Sequence, residues 1–194
     1  MASNGMSRME DTLRVEATGR TGWSAEEFDD LVRLHQARIH RVLWYELRNE
    51  DAAATLTQEC FLKAYRARSD FRGESSVETW LVRIALNLAR DHQRSRRQGF
   101  WRRLIGGSAE ETERATEMAE DRAPLADQAL LARERLQQVM KTVETLSPQQ
   151  QTVFRLRFVE EMTLDEIAQA MGVEVGTVKS HLSRAVNALR QMVK

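Results

Sequence analysis

Apolar residues recur at spacings of three and four along most of the chain, and the stretches where that rhythm fails mark its boundaries. From Trp23 onward, Phe28, Leu31, Val32, His35, Ile39, Val42 and Leu43 share one helical face, with Ser24 as N-cap and Glu27 three residues on as a capping box. Leu56, Cys60, Phe61, Ala64 and Tyr65 predict a second helix over about 52–68. Val77, Trp80, Leu81, Ile84, Ala85 and Leu88 predict a third over about 76–97, after the turn signal Arg72-Gly73-Glu74. The rhythm lapses over GFWRRLIGGSAEETERATEMAEDRAPLAD, Gly99 to Asp127, which holds a Gly-Gly pair, a proline and the acids Glu110, Glu111, Glu113, Glu117, Glu120 and Asp121, opposed mainly by Arg114 and Arg122. It resumes after Gln128 with Leu130, Leu131, Leu136, Val139, Met140 and Val143, then restarts at Ser147-Pro148-Gln149-Gln150, where Ser caps, Pro takes the first helical position and Gln the third.

Strand signals are missing: β-branched residues are sparse, no Asn-Gly or Asp-Gly hairpin turn occurs, and the only prolines are Pro124 and Pro148. The expected fold is all-α, with an N-terminal helical bundle and a C-terminal helix-turn-helix domain joined by a flexible acidic linker. The expected boundaries are a flexible tail over 1–22, the first domain over 23–97, the linker over 98–128 and the second domain over 129–194.

The segment MTLDEIAQAMGVEVGTVKSHLSRAVNALRQ, Met162 to Gln191, carries the helix-turn-helix. Leu164, Ile167, Ala168 and Met171 form the inner face of a short helix, Gly172 breaks it, and Val173 is expected to plug the turn. In the following helix Val175, Val178, Leu182, Ala185 and Leu189 must face the core, which turns Thr177, Lys179, Ser180, Ser183, Arg184 and Asn187 outward. A helix entering the major groove needs small residues near its N-terminus, so that it can approach the bases, and a few long donors for base edges and phosphates. This face has both. A second cationic stripe lies on the third helix, where Thr79, Arg83, Asn87, Arg90 and Arg94 recur at spacings of three and four and continue into Arg96 and Arg97, interrupted by Asp91.

Composition sets the limits. In 194 residues, 29 Lys+Arg balance 29 Asp+Glu, so a polyanion can be held only by local clusters of cations, with the acids segregated to the linker and helix starts. No apolar run is long enough for a membrane span and the first residues lack the apolar centre of a secretion signal, so a cytoplasmic protein without membrane insertion is expected. One cysteine, Cys60, and four scattered histidines, His35, His40, His92 and His181, offer neither a disulfide nor metal-ligand spacing, so neither metal nor cofactor is expected. Cys60 reads as a small core residue. With no paired catalytic carboxylates, phosphate-cradling glycine loop or nucleophile motif, an enzyme is not expected.

Three stretches then carry a family resemblance: LTQECFLKAYRA (Leu56 to Ala67), DFRGESSVETWLVRIALNLARDHQRSRR (Asp70 to Arg97) and LSPQQQTVFRLRFVEEMTLDEIAQAMGVEVGTVKSHLSRA (Leu146 to Ala185), in this order, resemble extracytoplasmic-function sigma factors of bacterial RNA polymerase. The resemblance implies that the first domain docks on the polymerase clamp and opens the promoter −10 element, while the second reads the −35 element as duplex, with the polymerase flap as a further partner. It implies −35 contacts by Thr177, Lys179, Ser180, Ser183 and Arg184, with His181 a weaker candidate, and −10 contacts by Phe71, Arg72, Gly73, Arg83, Asn87, Arg90 and Arg94, the loop Phe71 to Ser76 and Asn87 forming a pocket for an extruded base. Trp80, on the apolar stripe, is read as core. Polymerase docking falls to Gln58, Glu59 and Asp51 together with the Phe28 helix; the family's acidic residues before Leu-x-Gln-Glu are replaced here by Ala53-Ala54-Thr55, with acids only at Glu50 and Asp51. The linker is implied to thread toward the active-site and RNA-exit channels. An anti-sigma factor is the implied regulator, and the chain is expected to be monomeric when free of partners. A freestanding helix-turn-helix repressor or activator is the alternative, which would need a dimerisation surface or ligand pocket in the first domain.

Overall fold

The structure, a computed structural model, describes residues 23–106 and 137–192. The expected tail over 1–22 and the linker from 107 onward lie outside the described residues. The chain divides into two compact units, Met1–Ala115 and Thr116–Lys194. Every described element is helical or a turn, as the periodicity requires.

In the first unit, α1 (Ala25–Leu47) starts on the expected capping box: Glu27 N–H donates to Ser24 Oγ at 3.2 Å, and Ser24 N–H to Glu27 Oε2 at 2.7 Å. The helix closes at Arg48, whose φ of 52° is unusual for a non-glycine residue. There its guanidinium lies 4.9 Å from the Trp44 ring centroid and 5.7 Å from that of Tyr45, contacts that offset part of the conformational cost. Asn49 caps α2 (Glu50–Arg66) by accepting from Ala52 N–H at 2.7 Å, and a single 3-10 turn, Arg68–Asp70, follows. Ser76 Oγ accepts from Thr79 N–H at 3.1 Å at the start of α3 (Val77–Gly106).

α3 extends beyond the expected end at Arg97, into the stretch assigned to the linker. In QGFWRRLIG the single Gly99 costs only about 1 kcal/mol of helix propensity, and no stronger breaker comes before the Gly106-Gly107 pair. Leu31, Ile39 and Leu43 of α1 and Leu81, Val82 and Ala85 of α3 are at most 1% exposed, and Ala53, Cys60 and Ala64, fully buried, let α2 approach closely. An Arg38–Glu78 ion pair joins α1 to α3, and Gln93 Nε2 donates to Glu46 O at 2.7 Å near the other end of α1.

Two expected positions change. Thr79, placed on the cationic stripe, is 2% exposed, because its hydroxyl accepts from Ser76 Oγ at 2.9 Å and turns inward with the first turn of α3. Tyr65, placed in the core, remains 37% exposed: its ring meets Phe28 edge-on, and Arg68 stacks on it 3.9 Å from its centroid. Cys60 is buried as expected, its thiol donating to Leu81 O at 3.6 Å and pushed up to about 12, chiefly by burial, so it stays protonated at neutral pH.

His35 supplies a pH dependence. Burial, reinforced by the Arg38 charge, pushes it down to about 4 from 6.5, so the folded unit holds the ring neutral while the unfolded chain protonates it near 6.5. Between these values the unfolded state binds the extra proton, so stability should be unaffected above pH 6.5 and fall as pH drops from about 6.5 toward 4. Denaturant unfolding at pH 7.5 and pH 5 should show a midpoint lowered at pH 5 in the wild type, and a smaller drop in His35→Gln.

In the second unit, α4 covers residues 137–144, followed by α5 (Pro148–Phe158), α6 (Leu164–Met171) and α7 (Val175–Met192). Val143, Phe154, Ala185 and Leu189 form a buried cluster with Val139 and Leu146 packed against it. Fully buried Ile167 and Val178 seat α6 and α7. Pro148 opens α5 while Ser147 N–H donates to Gln150 Oε1 at 3.3 Å, and Thr163 and Glu166 make a further capping box on α6. Gly172, at φ 67°, ends α6 in the left-handed conformation that favours glycine. Val173 does not plug the turn: it is 37% exposed and contributes its N–H, which donates to Ala168 O at 3.0 Å, because the left-handed residue before it carries the side chain outward.

Candidate nucleic-acid interface

The loop from Phe71 to Ser76 is fixed at both ends. Phe71 is 6% exposed, its ring set 4.8 Å from Trp23 and 5.1 Å from Trp80, centroid to centroid. Phe71, proposed for the −10 contact, thus packs as an apolar ring between two tryptophans, where it contributes to the core. Gly73 then takes φ 70°, and Ser76 caps α3. Between these anchors Arg72 and Glu74 are exposed. Trp80, read from its spacing as core, is half-buried within the aromatic cluster.

Along α3 the remaining stripe is as expected: Arg83, Asn87, Arg90 and Arg94 are all exposed, over about 16 Å of helix. Arg90 Nη1 donates to Asn87 Oδ1 at 3.2 Å, which orients the amide. Arg72, Arg83 and Arg94 have no ion-pair partner among the described residues, so their charge remains available to an anion. Asn87 can donate and accept, while the arginines only donate. One helix face thus combines a reader of polar edges with flanking cations.

On α7, Thr177, Lys179, Ser180, Ser183 and Arg184 are exposed, opposite buried Val178, Ala185 and Leu189. Ser180 Oγ donates back to Gly176 O at 3.0 Å, which keeps that side chain close to the helix surface. Lys179 and Arg184 have no acidic partner among the described residues. His181 differs from the others: it is half-buried, with Nδ1 enclosed and unpartnered, so only part of its ring faces outward.

The docking candidates separate. Gln58 is exposed and lines a groove of about 930 Å³ between α1 and α2, together with Phe28, Val32, Phe61, Leu62 and Tyr65. Glu59 pairs with Lys63 at 3.3 Å, and Asp51 sits exposed in the first turn of α2, outside the groove lining. Leu62 is 57% exposed, which a core-facing reading of the second helix does not anticipate; its place next to Phe61, off the buried stripe, was the available signal. Phe158, on the second unit, is likewise 54% exposed beside Phe154. Trp23 was missed as part of the loop's support, since nothing in local periodicity links it to Phe71 and Trp80, 48 and 57 positions away.

Family models match both units: Sigma-70 region 2 over residues 31–99, and Sigma-70, region 4 over residues 136–189. The chain is 34% identical to the RNA polymerase sigma-H factor of Pseudomonas aeruginosa, covering 84% of this chain and 83% of that protein. It is 34% identical to the ECF RNA polymerase sigma-E factor of Escherichia coli K12, covering 72% of each. With ECF RNA polymerase sigma factor SigW of Bacillus subtilis it shares 27% over 87% of this chain and 90% of that one. Among solved structures, the sigma factor RpoE from Bartonella quintana, in complex with the anti-sigma factor NepR, matches its fold with a TM-score of 0.65 at 22% identity, covering 87% of this chain and 98% of that one. CnrH, in complex with the cytosolic domain of CnrY, matches with a TM-score of 0.61 at 21% identity, covering 95% and 97%.

Proposed function

The chain belongs to the extracytoplasmic-function sigma factors, and from that membership we propose how its residues divide the work of initiation. The first unit binds core RNA polymerase through the α1–α2 groove around Gln58, Leu62 and Tyr65, together with Asp51 and Glu59 of α2, and presents loop 71–76 and the α3 stripe to the −10 element. The second reads the −35 duplex with α7. The observation that carries this reading is the pair of exposed cationic faces, one beside a pinned loop and one on the second helix of a helix-turn-helix, whose Arg83, Arg94, Lys179 and Arg184 have no ion-pair partner among the described residues, in a chain without net charge.

Each face suits its step. Opening the −10 element exposes a single strand, which needs cations for its phosphates and a polar group for an unstacked base; Arg83, Arg90 and Arg94 supply the former and Asn87 the latter. On α7, small Thr177, Ser180 and Ser183 allow the helix into the groove while Lys179 and Arg184 reach outward, and His181 contributes at most an edge of its ring. The chain supplies no catalytic group in this scheme; the polymerase makes RNA. Regulation by an anti-sigma factor fits the solved relative held by NepR, and we place the protein in the cytoplasm as a monomer when free of both. Among the described residues no helix is long and apolar enough to cross a membrane.

Arg184→Ala should weaken binding at particular −35 positions, one bidentate base contact being worth about 1–3 kcal/mol of discrimination. Lys179→Ala should lower affinity evenly across sequences and flatten the salt dependence by roughly one unit of slope. Holoenzyme binding to a set of −35 variants at several salt concentrations separates the two, and full −35 selectivity in both mutants would remove α7 from the groove. The scheme as a whole is tested by titrating promoter duplex with the free chain and with holoenzyme. The free chain should bind weakly and holoenzyme tightly, because polymerase fixes one site near the other; tight promoter-specific binding by the chain alone would overturn it.

A further inference from the structure

The loop that follows Phe71 is held by a residue lying before residue 31, where the region 2 match begins. Trp23 precedes α1, Phe71 opens the loop and Trp80 stands in the first turn of α3, yet their rings pack mutually, with centroids 4.8, 5.1 and 5.7 Å apart at interplanar angles of 33°, 53° and 35°. The arrangement is tied at every corner. Trp23 is followed directly by the Ser24–Glu27 capping box of α1, Phe71 is followed by exposed Arg72 and the left-handed Gly73, and Trp80 N–H donates to Ser76 O at 3.0 Å where the loop ends. Phe71 is 6% exposed because tryptophans from two other parts of the chain cover it.

We infer that Trp23 is a positioning residue for base capture, holding the Phe71 end of loop 71–76 at the height where Arg72 and Asn87 can meet an unstacked −10 base. This rests on the reading of that loop and Asn87 as the base pocket. Without Trp23 the Phe71 ring loses one of its two aromatic walls, and the loop, already turned sharply at Gly73, gains alternative positions. The α3 stripe does not depend on this contact, so phosphate binding persists while base capture weakens.

The test uses holoenzyme made with the full chain and a single-stranded −10 oligonucleotide in which each base in turn is replaced by an abasic site. Wild type should lose affinity sharply at one position. Trp23→Ala should bind the intact strand about three- to tenfold more weakly, the range expected for losing one aromatic pair, and should lose correspondingly less when that base is removed. Trp23→Phe, which keeps a ring against Phe71, should keep most of the wild-type sensitivity, whereas Trp23→Leu, apolar but ringless, should behave like the alanine variant. Should Trp23→Ala fail to join polymerase, the phenylalanine and leucine variants decide by the same measure. Equal sensitivity to the missing base in wild type and in Trp23→Leu would overturn the role of Trp23 while leaving the pocket standing. Insensitivity of wild type at every position would instead remove the pocket, and the role of Trp23 with it.

Discussion

Replacing Arg83, Arg90 and Arg94 together with alanine is expected to weaken holoenzyme binding to a single-stranded −10 element on the order of a hundredfold, at about 1 kcal/mol for each exposed cation–phosphate pair. The three cations lie on one exposed face, and removing them takes nothing from the core of the first unit, because Leu81, Val82, Ala85, Leu86, Leu88 and Ala89 bury the other side of the same helix. The salt dependence should flatten by roughly two units of slope, at about 0.7 per single-strand phosphate contact. Association with core polymerase should be unchanged, since the α1–α2 groove contains none of these arginines. Filter binding at several salt concentrations reads both quantities. An unchanged slope would mean that the stripe is merely solvated.

The other large effect is expected under the recognition helix. Val178 is fully buried, on the side of α7 facing away from Lys179, Ser183 and Arg184. Val178→Asp would place a carboxylate in an apolar core without a partner, a cost of several kcal/mol against a stability that for a small domain is about 5–15 kcal/mol. The second unit should lose its cooperative unfolding, hydrogen-exchange protection over residues 137–192 should collapse, and −35 selectivity should vanish although no exposed side chain has changed. Val178→Ala, which leaves only a small cavity, should cost roughly 1–3 kcal/mol and retain selectivity. Retained protection in the aspartate variant would mean that Val178 is not the seat of α7.

Where a single helix decided the answer, the sequence was a good guide. Ser24–Glu27 became a capping box, Pro148 opened a helix behind Ser147, Gly172 took the left-handed turn, and Arg83, Asn87, Arg90 and Arg94 emerged on one exposed face, since period and capping are local properties. What failed depended on partners distant in the chain or on side-chain direction at an element's end. Thr79 shares the register of the stripe, but a hydroxyl contact with Ser76 at the helix start pulls it inward. Phe71 looks accessible in a loop written with Arg, Gly, Glu and Ser, and only Trp23 and Trp80 explain its burial. Tyr65 fits the amphipathic pattern without revealing that an apolar position can be left open for another protein, and Leu62, off that pattern, joins it at the groove. The extension of α3 to Gly106 was concealed by composition: Gly99 and the charged text beyond it suggested a linker, although nothing before Gly106 forbids a helix.

On the proposed reading this chain opens a promoter with one face while it reads duplex with another, and only in company with polymerase. Permanganate reactivity of the −10 thymines on a linear duplex promoter measures that directly, with core polymerase alone, the chain alone and the two combined. Reactive thymines are expected only in the combination, disappearing when Arg83, Arg90 and Arg94 are replaced. Reactive thymines with core polymerase alone, or a chain that occupies the promoter by itself while the combination leaves the −10 element closed, would contradict it.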